Sequence, residues 1–229
     1  MKVVILAAGE GVRMRPLTLT TPKPLIIVSG KPILDHIFVA LPLEINEVII
    51  VVGHLGNKIK DYCGDSFYNR RIKYVEGSKE GNAMSFLSAK PFLENEERFL
   101  LVQGDELPYK KDVERCLSHK SSSLCWEIND PWNHGVITLK DGMINDIIEK
   151  PKNPLSNLIS NGVMVITSKI FDCIPKRENN GEYYFSSMFN QYIKKENVVA
   201  VSTIYGTVGF SSPEDIKRNE EVLKSRPKI

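Results

Sequence analysis

Three nearly continuous apolar runs set the tightest limit on the fold: residues 3–7 (VVILA), 48–52 (VIIVV) and 99–102 (FLLV). A strand with one wet face alternates apolar and polar residues, whereas a run without alternation needs cover on both faces. Between these runs lie helical patterns at residues 31–43 (cut near Pro42), 56–63 and 81–93. Strand–helix–strand alternation at this spacing predicts βαβ units and a parallel sheet.

The texture changes after residue 120. Segments 121–128, 134–140, 143–149 and 161–167 read as strands, with Asp141-Gly142 as a hairpin turn between the second and third. Helical patterns follow at 183–195 and 212–225, the latter with Ser212 as N-cap before Pro213. Segment 150–160 (KPKNPLSNLIS) is the most loop-like stretch. The expectation is one α/β domain over residues 1–229, a parallel half followed by a more mixed half.

Composition excludes several classes. Thirty Lys and Arg face 28 Asp and Glu, a net charge of +2, so no strongly basic face for nucleic acid is expected. No run approaches the roughly 18 apolar residues of a membrane span, and the start MKVVILAAGEG lacks a signal-peptide pattern. Cys63, Cys116, Cys125 and Cys173 form no CxxC pair. Free thiols in a reducing cytoplasm are the simplest reading.

The chemistry concentrates in residues 6–25, LAAGEGVRMRPLTLTTPKPL. A buried strand runs from Leu6 through Ala7-Ala8 into Gly9-x-Gly11, and Arg13, Arg15 and Lys23 follow. Glycines at a strand's C-terminal end let backbone N–H groups approach an anion, and open α/β sheets bind ligands at that edge. No Gly-Lys-Ser/Thr follows, and Met14 breaks the dinucleotide GxGxxG pattern. The cations suit a polyphosphate and charge developing on a transferred phosphoryl group.

The string Gly9-x-Gly11-x-Arg13-x-x-Pro16-Leu17-Thr18, with Pro22-Lys23-Pro24-Leu25 after it, closely resembles the signature of the sugar-1-phosphate nucleotidylyltransferases. The resemblance covers nearly the whole chain and implies a Rossmann-like α/β fold, a mixed but mainly parallel sheet flanked by helices. It implies the reaction NTP plus sugar 1-phosphate giving NDP-sugar plus pyrophosphate, assisted by Mg²⁺, without a covalent intermediate. Residues 1–120 would then form the nucleotide half and 121–229 the sugar-phosphate half. Partners would be those substrates, with no nucleic acid and no membrane insertion; a homo-oligomer is compatible with the resemblance. At 229 residues, no left-handed β-helix of the kind some members carry is expected.

The resemblance also distributes roles. Arg13 would grip the triphosphate and Lys23 the α-phosphate region, with Leu6, Ala8, Gly9 and Gly11 lining the nucleotide; Arg15 falls outside the pattern. Gln103-Gly104-Asp105 matches the family's Asn-Gly-Asp, making Gln103 a nucleotide contact and Asp105 the Mg²⁺ ligand. Glu76 would accept from a base edge, and Gly81 would start a helix facing the nucleotide. His134-Gly135-Val136 and Glu149-Lys150-Pro151 match the sugar-phosphate motifs, with Gly135, Glu149 and Lys150 as contacts, and Asn161 lines the same pocket. Trp132 could stack on a sugar ring, core packing being the commoner role.

The pattern departs at the end. Many members carry an Asp, a second Mg²⁺ ligand, where this chain has Gly209 in TVGFSSPED. Gly181-Glu182-Tyr183-Tyr184-Phe185 and the Ser-Pro-Glu-Asp ending resemble a branch serving capsule and surface polysaccharide, which makes Glu182 a candidate substitute ligand. Two competing readings are a phosphocholine-type cytidylyltransferase and a non-catalytic sugar-nucleotide sensor.

Overall fold

The computed structural model describes residues 1–206 and 208–226; Thr207 in the final motif, and residues 227–229, lie outside the described residues. In chain order the strands are β1 (Lys2–Ala7), β2 (Ile27–Val28), β3 (Lys31–Pro32), β4 (Glu47–Val52), β5 (Ser66–Phe67), β6 (Arg70–Glu76), β7 (Arg98–Gln103), β8 (Ser122–Glu127), β9 (Gly135–Lys140), β10 (Met143–Glu149), β11 (Leu158–Thr167) and β12 (Val199–Ser202). The α-helices are α1 (Ile33–Ala40), α2 (Gly56–Cys63), α3 (Asn82–Leu87), α4 (Lys90–Leu93), α5 (Lys110–Leu117), α6 (Phe185–Ile193) and α7 (Glu214–Ser225).

Ten strands form one mixed sheet in the order β5-β6-β4-β1-β7-β11-β8-β12-β10-β9. The run β6-β4-β1-β7 is parallel. Strand β11 then pairs antiparallel with both β7 and β8, so strands from both halves of the sequence share one sheet. The continuous apolar runs behave as two-faced strands. Val3 and Ile5 pack with α1 and α5 residues such as Phe38 and Val113 on one face. Val4 and Leu6 pack with Phe86 of α3 and Phe189 of α6 on the other. Asp141 (φ 51°) and Gly142 (φ 76°) both take the left-handed backbone of a tight hairpin turn.

Several boundaries move. Residues 31 and 32 lie in β3, so the first helix starts at Ile33. The pattern over 81–93 splits into α3 and α4, with Pro91 in the first turn of α4, where its missing N–H does no harm. Strand β6 escapes the pattern search because RRIKYVE carries charges on a half-exposed strand beside the short edge strand β5. Helix α5 and strand β12 were likewise not read from the pattern. Strand β11 begins at Leu158, inside the segment expected as loop, and its pairing with β8 slips between Ser160 and Met164. Among the described residues, no helix is long and apolar enough to cross a membrane.

Candidate active site

The glycine-rich opening folds as three short 3₁₀ turns, 12–14, 17–19 and 23–25, beyond the C-terminal end of β1. Gly11 takes φ 61°, and its carbonyl accepts the Thr18 hydroxyl at 2.8 Å. A side chain there would be strained, and its Cβ would sit 2.9 Å from Thr18 Cγ2. Met14 is fully buried and anchors the loop. His54 Nε2 lies 2.8 Å from the Thr18 carbonyl, so His54 ties the loop to the end of β4. Around Ala8 the chain is tightly packed: an added Cβ at Gly53 would lie 2.5 Å from the Ala8 carbonyl oxygen, and one at Gly77 2.5 Å from Ala8 Cβ.

The third turn carries Lys23 to the carboxylate of Asp105, which stands just past the end of β7; Lys23 Nζ and Asp105 Oδ2 form an ion pair. Two signals 82 residues apart therefore meet. Asp105 opens onto a cavity of about 680 Å³ whose wall also includes Arg13, Gln103, Glu106, His134, Gly135, Glu149, Lys150 and Asn161. That volume suits a ligand the size of a sugar phosphate.

The far wall is the β9–β10 hairpin. Gly135 faces Glu149 across the register, and a Cβ at Gly135 would lie 3.4 Å from Glu149 Oε2. Burial pushes the Glu149 carboxyl upward, against the pull of Lys150 and a hydrogen bond with Ser186. Lys150 turns left-handed (φ 45°); its N–H donates to the His134 carbonyl at 3.0 Å and its ammonium lies 4.8 Å from the centre of the Tyr184 ring. His134 is pushed down, chiefly by burial and further by Arg13 and Lys150, although Asp130 pulls it up. Arg13 and Lys150 thus both project positive field onto the site.

Asn161 sits where β11 slips register, is 4% exposed, and its Oδ1 has no hydrogen-bond partner among the described residues. Bulges beside active sites re-aim side chains, and an orphan acceptor in a cavity wall is suited to a hydroxyl donor. Gln103 packs under Gly162.

Other expected contacts fall elsewhere. Leu6, Ala8, Gly9, Gly11, Lys23, Glu76, Gly81 and Glu182 do not line this cavity. Glu76 is exposed and pairs with Lys60 at 2.7 Å. Gly81 precedes α3, and the Ala83 N–H donates to the Tyr183 carbonyl at 3.0 Å. Glu182 is exposed and accepts from the Asn180 amide at 3.3 Å. Arg15 is solvated beside Glu10 at 3.6 Å.

Sequence reasoning missed Glu106. Its carboxylate lies against Gly209, and burial together with Asp105 pushes it well above the usual carboxylate range. It also missed Asn82, Asp130, Ser186 and Arg218 in the wall. Glu106, next to Asp105, Asn82, next to Gly81, and Ser186, next to the Gly-Glu-Tyr-Tyr-Phe string, carried a neighbouring signal.

An open α/β sheet whose parallel strands end at a glycine loop, a Lys–Asp pair and a cation-bearing cavity has the makings of an anion-binding site. The chain belongs to the nucleotidyl transferase family, whose profile matches residues 2–206. It is 36% identical over 206 residues to the bifunctional protein GlmU of Methanocaldococcus jannaschii, covering 88% of this chain and 49% of that protein. The chain therefore spans about half the length of that relative. It is 30% identical to the UTP–glucose-1-phosphate uridylyltransferase AglF of Haloferax volcanii, covering 98% of this chain and 97% of AglF. The fold matches the structure of a protein described as a glucose-1-phosphate thymidylyltransferase from Bacillus anthracis, with TM-score 0.85, 24% identity and coverage of 100% and 97%. It also matches UDP-glucose pyrophosphorylase bound to UDP-glucose, with TM-score 0.83, 22% identity and coverage of 98% and 99%.

Proposed function

We propose that the chain transfers a nucleotidyl group from an NTP to a sugar 1-phosphate, releasing pyrophosphate and yielding an NDP-sugar for glycan assembly in the cytoplasm. The observation that carries this reading is the ion pair of Lys23 with Asp105, a residue in the wall of a cavity that Arg13, Glu149 and Lys150 also line. One oxygen of the sugar phosphate attacks the α-phosphorus, and the bond to pyrophosphate breaks as the new one forms. Arg13 and Lys23 hold and neutralise the triphosphate. Lys150 holds the incoming phosphate, while Glu149 and Asn161 accept from sugar hydroxyls. No side chain need act as a nucleophile, so catalysis is positioning and charge neutralisation.

The residues present suit a divalent cation. Asp105 and Glu106 offer only carboxylate oxygens, and Glu106 Oε2 is buried without a partner. Among the described residues no group of three or more His, Cys, Asp or Glu could hold a metal alone. Mg²⁺ takes such sparse protein ligation, completed by phosphate oxygens and water. When bound it would neutralise phosphate oxygen charge; Asp105 would orient it.

A phosphocholine acceptor fits less well, because the described cavity wall offers Phe185 and His134 but no cage of Trp or Tyr for a quaternary ammonium. The test is pyrophosphate release across the four NTPs and a panel of sugar 1-phosphates with Mg²⁺. The similarity to AglF makes UTP with glucose 1-phosphate the first pair. Release with one pair, abolished by Asp105→Asn at unchanged fold, supports the reading. Silence across the panel with NTP binding retained would instead favour a sensor. Lys23→Ala should slow turnover by about 10²–10³-fold, the size of effect seen when one preorganised charge stabiliser is removed.

A further inference from the structure

We propose that Glu106 supplies the second protein carboxylate for the divalent cation held by Asp105, from the space that a side chain at position 209 would otherwise fill. This rests on the metal-assisted reading above and names a ligand which that reading leaves open. Glu106 and Gly209 face each other in an antiparallel bridge. The chain on either side is tied as well: Leu107 N–H donates to the Val208 carbonyl at 2.8 Å, and Phe210 N–H to the Asp105 carbonyl at 3.2 Å. The two strands are therefore held in register around the carboxylate.

An ideal Cβ at Gly209 would lie 2.6 Å from Glu106 Oε1 and 3.1 Å from both Cδ and Oε2. The backbone at Gly209 is not in the left-handed region, so conformation does not demand glycine there. The Glu106 carboxylate occupies the space a Cβ would take, so a side chain there would displace it. Both residues line the cavity that Asp105 opens onto. Glu106 Oε2 is fully buried yet has no hydrogen-bond partner among the described residues. A buried carboxylate oxygen without a donor is costly, and a cation against it removes that cost. Lys23 and Arg226 attract this carboxylate, while Asp105 and Asp215 repel it. Neither cation forms an ion pair with Glu106 among the described residues: Lys23 is engaged with Asp105, and Arg226 donates to the Leu107 and Gly206 carbonyls at 3.0 and 2.9 Å.

The test is Mn²⁺ binding to the full chain, followed by the loss of the free Mn²⁺ paramagnetic resonance signal, with tripolyphosphate present as the phosphate probe. Glu106→Gln, which keeps the shape, should weaken Mn²⁺ binding at least tenfold, as should Asp105→Asn. Two double variants exploit the vacated space. Glu106→Ala/Gly209→Asp should regain most of the affinity, whereas Glu106→Ala/Gly209→Ala, filled but without a carboxylate, should not. Wild-type Mn²⁺ affinity in Glu106→Gln, or in the Ala/Ala variant should Glu106→Gln not fold, overturns the proposal. The two readings fail separately. Pyrophosphate release with Glu106-independent Mn²⁺ binding removes Glu106 and leaves the reaction. Glu106-dependent Mn²⁺ binding in a protein that releases no pyrophosphate removes the reaction and leaves the site.

Discussion

Gly81→Ala offers a quantitative check on how the two halves of the chain are joined. Segment 80–83 is stitched to segment 183–185: Tyr183 N–H donates to the Glu80 carbonyl at 2.7 Å, and Ala83 N–H to the Tyr183 carbonyl at 3.0 Å. The Asn82 side chain accepts from Phe185 N–H at 2.7 Å. Gly81 lies at φ 121° and ψ 172°, a region essentially reserved for glycine. Holding alanine there costs on the order of 1–3 kcal/mol. Its Cβ would also lie 2.4 Å from the Tyr183 carbonyl oxygen and 2.7 Å from its nitrogen, so the backbone must part. Losing the two backbone hydrogen bonds costs roughly 0.5–1.5 kcal/mol each. The expected loss is about 4 kcal/mol, measured by urea unfolding. Gly142→Ala is the matched control, with φ 76° and nothing within 4 Å of its Cβ, so only backbone strain of about 1 kcal/mol applies. If the two variants unfold within about 1 kcal/mol of each other, the close packing at Gly81 is not the source of the effect and the argument fails.

Asn161→Ala should raise KM for the sugar phosphate about tenfold, the worth of roughly 1.4 kcal/mol, because Oδ1 is a wall acceptor without a partner among the described residues. Its unfolding midpoint should stay near wild type, since no protein hydrogen bond is removed. His134 has a lowered pKa in the fold, so the unfolded chain binds its proton first. Stability should therefore decline as pH falls from about 6.5, the ordinary histidine value. His134→Gln should flatten that decline between pH 7 and 5.5 in paired melts; parallel curves would remove His134 as its source. Burial pushes the thiols of Cys63, Cys116 and Cys125 up to about 12 and raises Cys173 as well. A disulfide-exchange reagent at pH 8 should leave all four free thiols untouched in the native protein and titrate all four in urea.

The legible parts were those whose cause is local. Continuous apolar runs marked β1, β4 and β7 because a strand covered on both faces cannot afford polar positions. Asp141-Gly142 marked its hairpin because few residues accept two successive positive φ angles. The opening motif set Arg13 and Lys23 beside glycines suited to a phosphate, and Asp105 was marked by its family motif after an apolar run. By contrast, β6 was hidden because its charges reflect a place near the sheet edge, which no window of sequence records.

Long-range packing decided the rest. Glu76 and Glu182 have the chemistry of ligands, and the fold sets them on the surface beside Lys60 and Asn180. Locally, Glu106 is marked only as the neighbour of Asp105; the bridge to Gly209 is a long-range contact, at the cavity that Asp105 opens onto. Residue types along the chain determined which elements form and which charges exist, because those follow from covalent neighbours and burial period. Which carboxylate is left without a partner beside the cavity depends on contacts spanning about a hundred residues, and only the assembled sheet brings those together.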